Sequence, residues 1–433
     1  MASKGDISKE GIQPVLPKRW TSIPFKEGLD KAGAFTKLKS KEYLEKGKYP
    51  VIDQGEKFIS GFIENRDLIY QGELPIVIFG DHTRVVKYID FEFAAGADGT
   101  KILKPFKALD DKFFYYYVRA LNIPSFGYSR HYKVFDSIDL PIPPLAEQKR
   151  IVAKLDALFG HLETLKTKLD RIPELLKNFR QQVLTQAVTG KLTGIKSDLK
   201  WVELEKFTES SFYGPRFGKD SYTIDGIATV RTTDMTDNGD IEITKETPRV
   251  AVDPKRLNSF KVEKDDLLIT RTGSIGKMAI YSGNEIVIPS AYLIRFRFKD
   301  NALTKFIYYC LTSPYGQKVM GLEATAITQP NLNAQKIKAI KIPLYSIEEQ
   351  NNILLKIEEL FSIAERIEAQ YLSLKDKIDN LPQAILNKAF NGELVPQDPN
   401  DEPASVLLER IKGEKQGKTK QVSSKSNIEQ LTE

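Results

Sequence analysis

One segment of this chain occurs twice. Residues 140–192, which begin LPIPPLAEQKRIVAKLDALF, align without a gap with residues 342–394, which begin IPLYSIEEQNNILLKIEELF. Fourteen of the 53 aligned positions carry the same amino acid. Because similarity of this length without insertions indicates an internal duplication, the fold is restricted to two related halves.

Apolar residues follow a heptad pattern in both copies, with alternating steps of four and three residues. They are Ile151, Leu155, Leu158, Leu162, Leu165, Leu169, Ile172, Leu176 and Phe179, and Ile353, Ile357, Leu360, Ala364, Ile367, Tyr371, Leu374, Ile378 and Leu381. This pattern is typical of a coiled-coil seam, which has to be buried against a second seam. Since the other copy is the nearest partner, the sequence predicts two long helices in an intramolecular coiled coil. The alternative is a helix on an ordinary globular core.

The ends of these helices are predicted from residues that the copies share. Pro173 would kink the first helix and Pro382 would break the second, but neither proline has a counterpart in the other copy. Asn178 and its counterpart Asn380 are therefore the expected common stop, because asparagine tolerates the left-handed conformation of a helix cap. A shorter helix is expected to follow and to end at Gly190 or its counterpart.

Composition limits the class of protein. The 433 residues are 41% hydrophobic, so about three domains with buried cores are expected. Neither an apolar run of about 20 residues nor the apolar core of a signal peptide occurs, so the chain is expected in the cytoplasm. The formal charge of +6 permits an anionic partner.

Cysteine and histidine are rare in this chain. The one cysteine, Cys310, is consistent with a reducing compartment and excludes a disulfide framework or a cysteine-based zinc site. The three histidines, His82, His131 and His161, are widely separated and have no metal-ligand spacing. We therefore expect no metal site.

Two globular segments of similar length precede the two copies. Each has a tryptophan near its start, a strand leading into a glycine turn with a basic residue, and a helix with adjacent tyrosines. Short β-like stretches without βαβ alternation indicate an α+β class. The predicted ranges are an N-terminal arm at 1–13, a first globular domain at 14–139, a first helix region at 140–195, a second globular domain at 196–341, a second helix region at 342–395 and a partly disordered tail at 396–433.

No catalytic motif stands out in the sequence. The segment from Arg271 to Lys277 resembles a phosphate-binding loop, but Arg271 and Met278 stand where that loop requires a glycine and a hydroxyl residue. The Asn/Asp-Pro-Pro-aromatic tetrad with which amino-methyltransferases grip a flipped base is also missing. We therefore expect a binding protein without catalytic residues.

Loops that combine cations, small hydroxyl residues and aromatic residues occur in both halves. Backbone N–H groups and cations in such loops can meet phosphates, and arginine can reach a guanine edge. The predicted DNA-contacting residues are His82, Thr83, Arg84, Tyr128, Arg130, His131 and Lys133 in the first half, and Tyr213, Arg216, Arg231, Arg271, Thr272, Ser274 and Lys277 in the second. A solvated turn is the alternative for each loop, but their occurrence in both halves favours DNA.

The chain resembles the specificity subunits of type I restriction-modification systems over almost its whole length. The motifs concerned are Pro-Pro-Leu-x-Glu-Gln at Pro143 to Gln148, Ala-x-x-Gly-x-Leu at Ala187 to Leu192 and at Ala389 to Leu394, the turn from Thr270 to Gly276, and the tail from Pro396 to Arg410. Tyr345 and Ser346 replace the two prolines in the second copy, which weakens only that local signature.

The resemblance implies a role for each part. Each globular domain would be a target-recognition domain that reads one half of a bipartite DNA site. The two helices would pack antiparallel as a spacer that places the domains in a pseudo-twofold relation. Two methylation subunits would dock on this scaffold, bind S-adenosylmethionine and methylate adenine. Restriction subunits would use ATP and Mg for translocation and cleavage, and this chain itself would hold no cofactor.

Two other functions fit the sequence. The same architecture could serve a methylation-only complex without a nuclease, or a coiled-coil scaffold that binds proteins and no DNA. An autonomous enzyme would require activity from the purified chain alone.

Overall fold

The chain divides into two compact units, of which unit 1 comprises residues 1–168 and 374–433 and unit 2 comprises residues 169–373. The computed structural model describes residues 16–96, 99–125, 127, 130–194, 199–272, 275–299, 301–321, 332–411 and 413. The arm predicted at 1–13 and most of the tail beyond residue 411 lie outside the described residues. Within the described ranges, no helix is both long and apolar enough to cross a membrane.

Unit 1 begins with short strands and ends its globular part at a long helix. Its elements are β1 (Thr21–Pro24), β2 (Leu29–Asp30), β3 (Tyr49–Ile52), β4 (Gly61–Ile63), β5 (Ile76–Gly80), β6 (Val86–Ile89), β7 (Ala94–Ala95), β8 (Thr100–Pro105), α1 (Asp111–Ala120), β9 (Asp139–Ile142) and α2 (Leu145–Leu169). Short 3-10 helices lie at Phe25–Gly28, Ser40–Glu42, Arg66–Leu68 and Tyr132–Ser137.

Unit 2 repeats this order of strands and has additional short helices. It contains α3 (Ile172–Val188), β10 (Trp201–Glu203), β11 (Thr208–Tyr213), β12 (Tyr222–Val230), β13 (Arg249–Val250), α4 (Pro254–Leu257), β14 (Leu267–Thr270), β15 (Met278–Ile280), β16 (Ile288–Pro289), β17 (Leu293–Phe298), α5 (Asn301–Thr312), α6 (Pro314–Val319), α7 (Ala334–Lys338), β18 (Lys341–Pro343) and the first part of α8 (Ile347–Phe390). Short 3-10 helices lie at Leu204–Lys206, Lys219–Ser221 and Thr232–Asp234.

The sheets of the two units have the same strand order. Unit 1 has sheets ordered β2-β8-β5-β6, β4-β3-β7 and β1-β9, and unit 2 has sheets ordered β11-β17-β14-β15, β13-β12-β16 and β10-β18. Each strand of unit 1 therefore has a counterpart in unit 2 whose number is higher by nine, and the counterparts are neighbours in the same order. Even the parallel pair of β3 and β7 has its counterpart in β12 and β16. The topology confirms the predicted α+β class and extends the duplication through the globular parts.

The core of unit 1 lies between its four-stranded sheet, α1 and the long helices. Asp110 begins α1, because its carboxylate accepts hydrogen bonds from the backbone N–H groups of the next turn. The aromatic face of α1 is buried, and Phe25 stacks on Phe135 with 4.3 Å between ring centroids. Leu155 of α2 and Ala389 of α8 are completely buried in the same cluster.

The core of unit 2 is built in the same way. Phe296 of β17 and Phe306 of α5 are buried together with Ala187 of α3 and Ile357 of α8. Each unit thus buries part of the repeated helical segments against its own domain.

The repeated Glu-Gln pair lies at the starts of α2 and α8. The amide of Gln148 donates to the carbonyl of Pro143 at 3.0 Å, and its counterpart Gln350 donates to the carbonyl of Tyr345 at 2.9 Å. Ser346, which replaces a proline in the second copy, accepts from the backbone N–H of Glu349. The Glu349 carboxylate in turn accepts from the Ser346 backbone N–H at 2.8 Å. This capping box starts α8 without the prolines.

The predicted stop at Asn178 and Asn380 is wrong. Asn178 lies inside α3, and α8 runs through both Asn380 and Pro382. The actual break follows Leu169, so Pro173 falls in the first turn of α3. Backbone N–H groups in the first turn of a helix have no partner within the helix, so a proline there costs no hydrogen bond. Asn380 donates its side-chain amide to the carbonyl of Asp376 and caps nothing.

The glycines shared by the two copies do follow the ends of the helical segments. α3 ends at Val188 and α8 at Phe390, and each is followed two residues later by a glycine. Gly190 has a φ of 76° and Gly392 a φ of 75°, which is the left-handed region that favours glycine. The prediction of a glycine terminus is therefore confirmed.

The C-terminal segment completes unit 1. Residues 404–411 are helical, and Ala404, Leu407 and Leu408 are buried in the core of unit 1. The Asp401 carboxylate accepts from both terminal nitrogens of Arg150, at 2.6 and 3.3 Å. The beginning of the tail is thus a structural part of the first domain.

Candidate nucleic-acid interface

Most of the residues predicted in the second half meet at one end of the four-stranded sheet of unit 2. Tyr213 is paired with Ile294 and Thr270 with Leu293, so β11 and β14 both end where β17 begins. Arg271 follows β14 directly, and Lys277 immediately precedes β15. We call the loops at this end, residues 213–217, 271–272, 275–277 and 290–292, the unit 2 edge.

Arg271 and Tyr213 form a cation–π pair at the unit 2 edge. The guanidinium carbon of Arg271 lies 4.7 Å from the centroid of the Tyr213 ring. The Tyr213 hydroxyl accepts a hydrogen bond of 3.0 Å from the backbone N–H of Ala334, which holds the ring. A cation–π contact consumes no N–H group of the guanidinium, so these groups can donate to an acceptor such as a guanine edge or a phosphate.

Other cations surround this pair. The ammonium group of Lys277 lies 3.0 Å from the carboxylate of Asp237, whose side chain is 99% exposed. Exposed ion pairs contribute only about 0–1 kcal/mol, so a phosphate can replace Asp237 at little cost. Arg216 and Thr272 are exposed at the same edge.

Arg231 is held more firmly than the other predicted cations. Its guanidinium donates to both carboxylate oxygens of Asp234, at 2.9 and 3.2 Å, and the Asp234 side chain is almost completely buried. The hydrogen bonds to this carboxylate raise the pKa of Arg231. The same guanidinium also donates to the backbone carbonyl of Glu246 at 3.4 Å, so Arg231 helps to order the loop after β12.

The residues predicted in the first half lie at the equivalent end of the unit 1 sheet. Gly80 is paired with Thr100, as Thr270 is with Leu293 in unit 2. We call the loops at this end, residues 81–85, 99 and 130–133, the unit 1 edge. Arg84 adopts a left-handed φ of 64°, and its guanidinium donates to the carbonyl of Ile123 at 3.0 Å while its side chain stays largely exposed.

The turn at 81–85 rests on Gln54, a residue that follows β3. The Thr83 hydroxyl donates to the Gln54 backbone carbonyl, and the His82 backbone N–H donates to the Gln54 side chain at 3.1 Å. Gly99 approaches the same side chain so closely that a Cβ there would lie 2.6 Å from its oxygen. Gln54 was not predicted from the sequence, because no cation or aromatic cluster marks it.

His131 has a structural role. Its imidazole is completely buried, and its Nδ1 lies 2.9 Å from the backbone carbonyl of Asp81. The Asp81 carboxylate also accepts from the backbone N–H of Tyr132 at 2.8 Å. The prediction that His131 contacts DNA is therefore wrong, since a buried ring that holds two loops together is not accessible. Arg130 and Lys133, on the same segment, are exposed.

Two predicted residues, Tyr128 and Ser274, lie outside the described residues. Of the others, Arg231 follows β12 of the three-stranded sheet and lies outside the unit 2 edge, whereas the rest lie at topologically equivalent ends of the four-stranded sheets. Loops at the end of a rigid sheet are common places for binding residues, because the strands hold them in position.

A comparison with protein families identifies the class of the chain. A model of the type I restriction modification DNA specificity domain matches residues 17–174 and 218–374, which together exceed half of the sequence. The chain belongs to this family. One match falls in each half of the duplication, and together they include the unit 1 edge and all of the unit 2 edge except residues 213–217.

Characterised relatives agree with this assignment. The type I restriction enzyme EcoBI specificity subunit of Escherichia coli is 34% identical over 309 residues, which are 64% of this chain and 64% of that protein. The EcoKI specificity subunit of Escherichia coli strain K12 is 33% identical over 313 residues, 65% of each protein. The matches span somewhat less than two thirds of these relatives.

Two solved structures show the same fold. The HsdS subunit from Thermoanaerobacter tengcongensis has a TM-score of 0.58 and 17% identity, covering 87% of this chain and 98% of that one. A chain from a study of complex assembly and conformational transition of the type I R-M system has a TM-score of 0.61 and 16% identity, covering 87% and 99%. The resemblance to specificity subunits is thus confirmed.

Proposed function

We propose that this chain is the DNA sequence-specificity subunit of a type I restriction-modification complex. It binds a bipartite DNA site and directs adenine methylation and restriction by partner subunits. The observation that carries the proposal is that the same sheet end in each family domain presents an arginine that solvent can reach. Arg84, on the turn between β5 and β6, is exposed, and Arg271, on the equivalent turn between β14 and β15, is partly exposed.

Each unit would read one half of the site. Arginine contacts to base edges discriminate between bases by about 1–3 kcal/mol, whereas lysines and backbone N–H groups bind phosphates and set the register. The bases between the two halves would not be read. Binding should weaken steeply with salt, because every phosphate contact releases a counterion.

The long helices would act as a spacer in the form of an antiparallel coiled coil. The heptad pattern supports this arrangement, and so do contacts inside each unit. Lys166 lies 3.1 Å from Asp379 within unit 1, and Arg180 lies 2.7 Å from Glu368 within unit 2. These ion pairs join the two repeated segments at positions outside the apolar seam, where charged residues set helix orientation.

The chemistry would belong to partner subunits. Two methylation subunits would bind S-adenosylmethionine and methylate adenine, and restriction subunits would use ATP and Mg. The turn from Arg271 to Lys277 lacks the residues of a nucleotide-binding loop, which supports a recognition role for it. Such a complex would act on DNA in the cytoplasm.

The proposal is tested by selecting DNA from a randomised library with the chain assembled with its methylation subunit. A selected motif in two parts, separated by unspecified bases of constant number, is expected. Affinity for this motif should fall linearly with the logarithm of salt concentration. Recovery of unselected sequences by a stably assembled complex would favour a scaffold that binds no specific DNA.

A further inference from the structure

A second exposed aromatic residue lies beside Arg271 at the unit 2 edge. Tyr292 immediately precedes β17, and its side chain is 57% exposed. Its backbone carbonyl accepts a hydrogen bond of 2.9 Å from the backbone N–H of Arg271. The two residues are therefore direct neighbours, although they are far apart in the sequence.

The backbone of Tyr292 is held from several sides. The N–H of Ser290 donates to the carbonyl of Val230 at 2.9 Å, and the N–H of Leu293 donates to the carbonyl of Ser290 at 3.0 Å. Gly214 donates to the carbonyl of Leu293 at 3.0 Å, and a Cβ at Gly214 would lie 1.9 Å from the carbonyl oxygen of Ser290. The segment is fixed, yet it presents the ring of Tyr292 to solvent.

Unit 1 shows that the fold does not require an aromatic residue at this place. Because Gly80 and Thr100 are paired as Thr270 and Leu293 are, Gly99 is the counterpart of Tyr292. The same backbone hydrogen bond is present, since the N–H of Asp81 donates to the carbonyl of Gly99 at 2.8 Å. The two positions differ in side chain and also in backbone, because Gly99 has a φ of 91°, so Tyr292 belongs to what is particular to unit 2.

The chemistry of tyrosine suits a contact with DNA at this position. Its ring offers a large contact area with few rotatable bonds, and its hydroxyl forms hydrogen bonds at the outer end. Tyr213, 41% exposed, and Tyr292 both contact Arg271, one through its ring and the other through its backbone. An arginine with two tyrosines as neighbours combines a guanine-reading or phosphate-binding group with apolar surface for sugars and thymine methyl groups.

We propose that Tyr292 contacts DNA in the second half-site and contributes to base selection there. This inference rests on the proposed function and adds a residue that neither the motifs nor the family resemblance marks. Tyr292 would work beside Arg271, and its absence in unit 1 would be one reason why the two halves of the site differ.

The test compares Tyr292→Ala with Tyr222→Ala in the complex with the methylation subunit. Tyr222 is a matched control, because it is 51% exposed and lies away from the unit 2 edge. It begins β12, whereas Val230, at the other end of that strand, is next to the unit 2 edge. Binding is measured on DNA with either half-site randomised. Tyr292→Ala should weaken binding to the preferred second half-site by about tenfold and reduce the base preference there, while the base preference at the first half-site is unchanged. Tyr222→Ala should change neither.

Thermal unfolding of both variants separates binding from folding. The exposure of the Tyr292 ring predicts a Tm like that of the unsubstituted protein, and intact reading of the first half-site provides a second control. If Tyr292→Ala selects both half-sites as the unsubstituted complex does, the assignment of Tyr292 is overturned while the proposed function stands. If the unsubstituted complex selects no DNA sequence, both proposals fail.

Discussion

The guanidinium of Arg271 lies over the ring of Tyr213, with 4.7 Å between the guanidinium carbon and the ring centroid. The two residues come from loops that the sequence marks separately, and the register of β11, β17 and β14 brings them together. The tyrosine ring is held through its hydroxyl, so the arginine packs on a positioned surface. Such preorganisation lowers the entropy lost when DNA binds.

We predict that Arg271→Ala relaxes reading of the second half-site and leaves the first intact. Loss of a bidentate base contact should weaken binding to the preferred sequence by about tenfold or more. Arg271→Lys keeps the positive charge but loses the planar guanidinium that forms bidentate hydrogen bonds. Compared with the alanine variant, it should therefore recover affinity for phosphate but not selectivity for the second half-site. Selection from DNA randomised in one half-site at a time measures both effects. An equal loss on all sequences would make Arg271 a phosphate contact.

Arg84→Ala should act on the first half-site in the same way. Its guanidinium lies at the unit 1 edge and is bonded to the carbonyl of Ile123, which limits its reach. We expect weaker binding or relaxed selection at the first half-site and unchanged selection at the second. Arg66→Ala is a suitable control, because Arg66 is an exposed arginine of the same unit, paired with Glu92 away from this edge. Equal effects of the two substitutions would argue against a specific role for Arg84.

Asp401→Asn should loosen the C-terminal segment from unit 1. The hydrogen bonds from Arg150 lower the pKa of the Asp401 carboxyl below its usual 3.8. A depressed pKa means that the ion pair stabilises the folded state above about pH 3.8 and is lost as pH falls through the lower, folded-state value. The substitution should therefore cost about 1–2 kcal/mol of unfolding free energy at neutral pH.

The measurement is denaturant unfolding of both proteins at pH 7 and at pH 3. The difference between them should be smaller at pH 3, where the unsubstituted protein begins to lose the same pair. Glu402→Gln offers a neighbouring control, because Glu402 pairs with Arg410 on the surface. A difference that grows towards low pH would contradict the assignment.

Leu155→Ala and Leu165→Ala should differ although both residues occupy the same heptad series on α2. Leu155 is completely buried in the core of unit 1, whereas Leu165 is 46% exposed. Replacing the buried leucine should cost about 2–5 kcal/mol through lost contacts and the cavity left behind. The exposed one should cost much less. Unfolding free energies of the two variants measure this, and equal values would contradict the packing of α2.

The repeat and its apolar pattern allow the helical segments and the duplicated domains to be predicted from the sequence. The helix breaks could not be placed, because the effect of a proline depends on its position. Pro173 is harmless in the first turn of α3, and α8 accommodates Pro382 in its interior. The shared asparagines suggested that both copies break at the same position. The first copy instead breaks after Leu169, and the second copy forms one continuous helix, α8.

The candidate site was predicted in part. The arginine turns are local features, and their composition marked them. The stacking of Tyr213 on Arg271, the burial of His131 and the proximity of Tyr292 depend on strand pairing between distant segments. Such pairing has no local signature in a single sequence, so a buried histidine and an exposed one look alike there.

The most direct test of the proposed function is a map of methylated adenines in a methylation-free host that expresses this chain with its methylation subunit. Long-read sequencing should reveal one split motif with an unread gap of constant length. Arg271→Ala should then broaden only one part of that motif, and Arg84→Ala only the other. Methylation without any sequence preference, or a single continuous motif that both substitutions change, would contradict the assignment of one half-site to each unit.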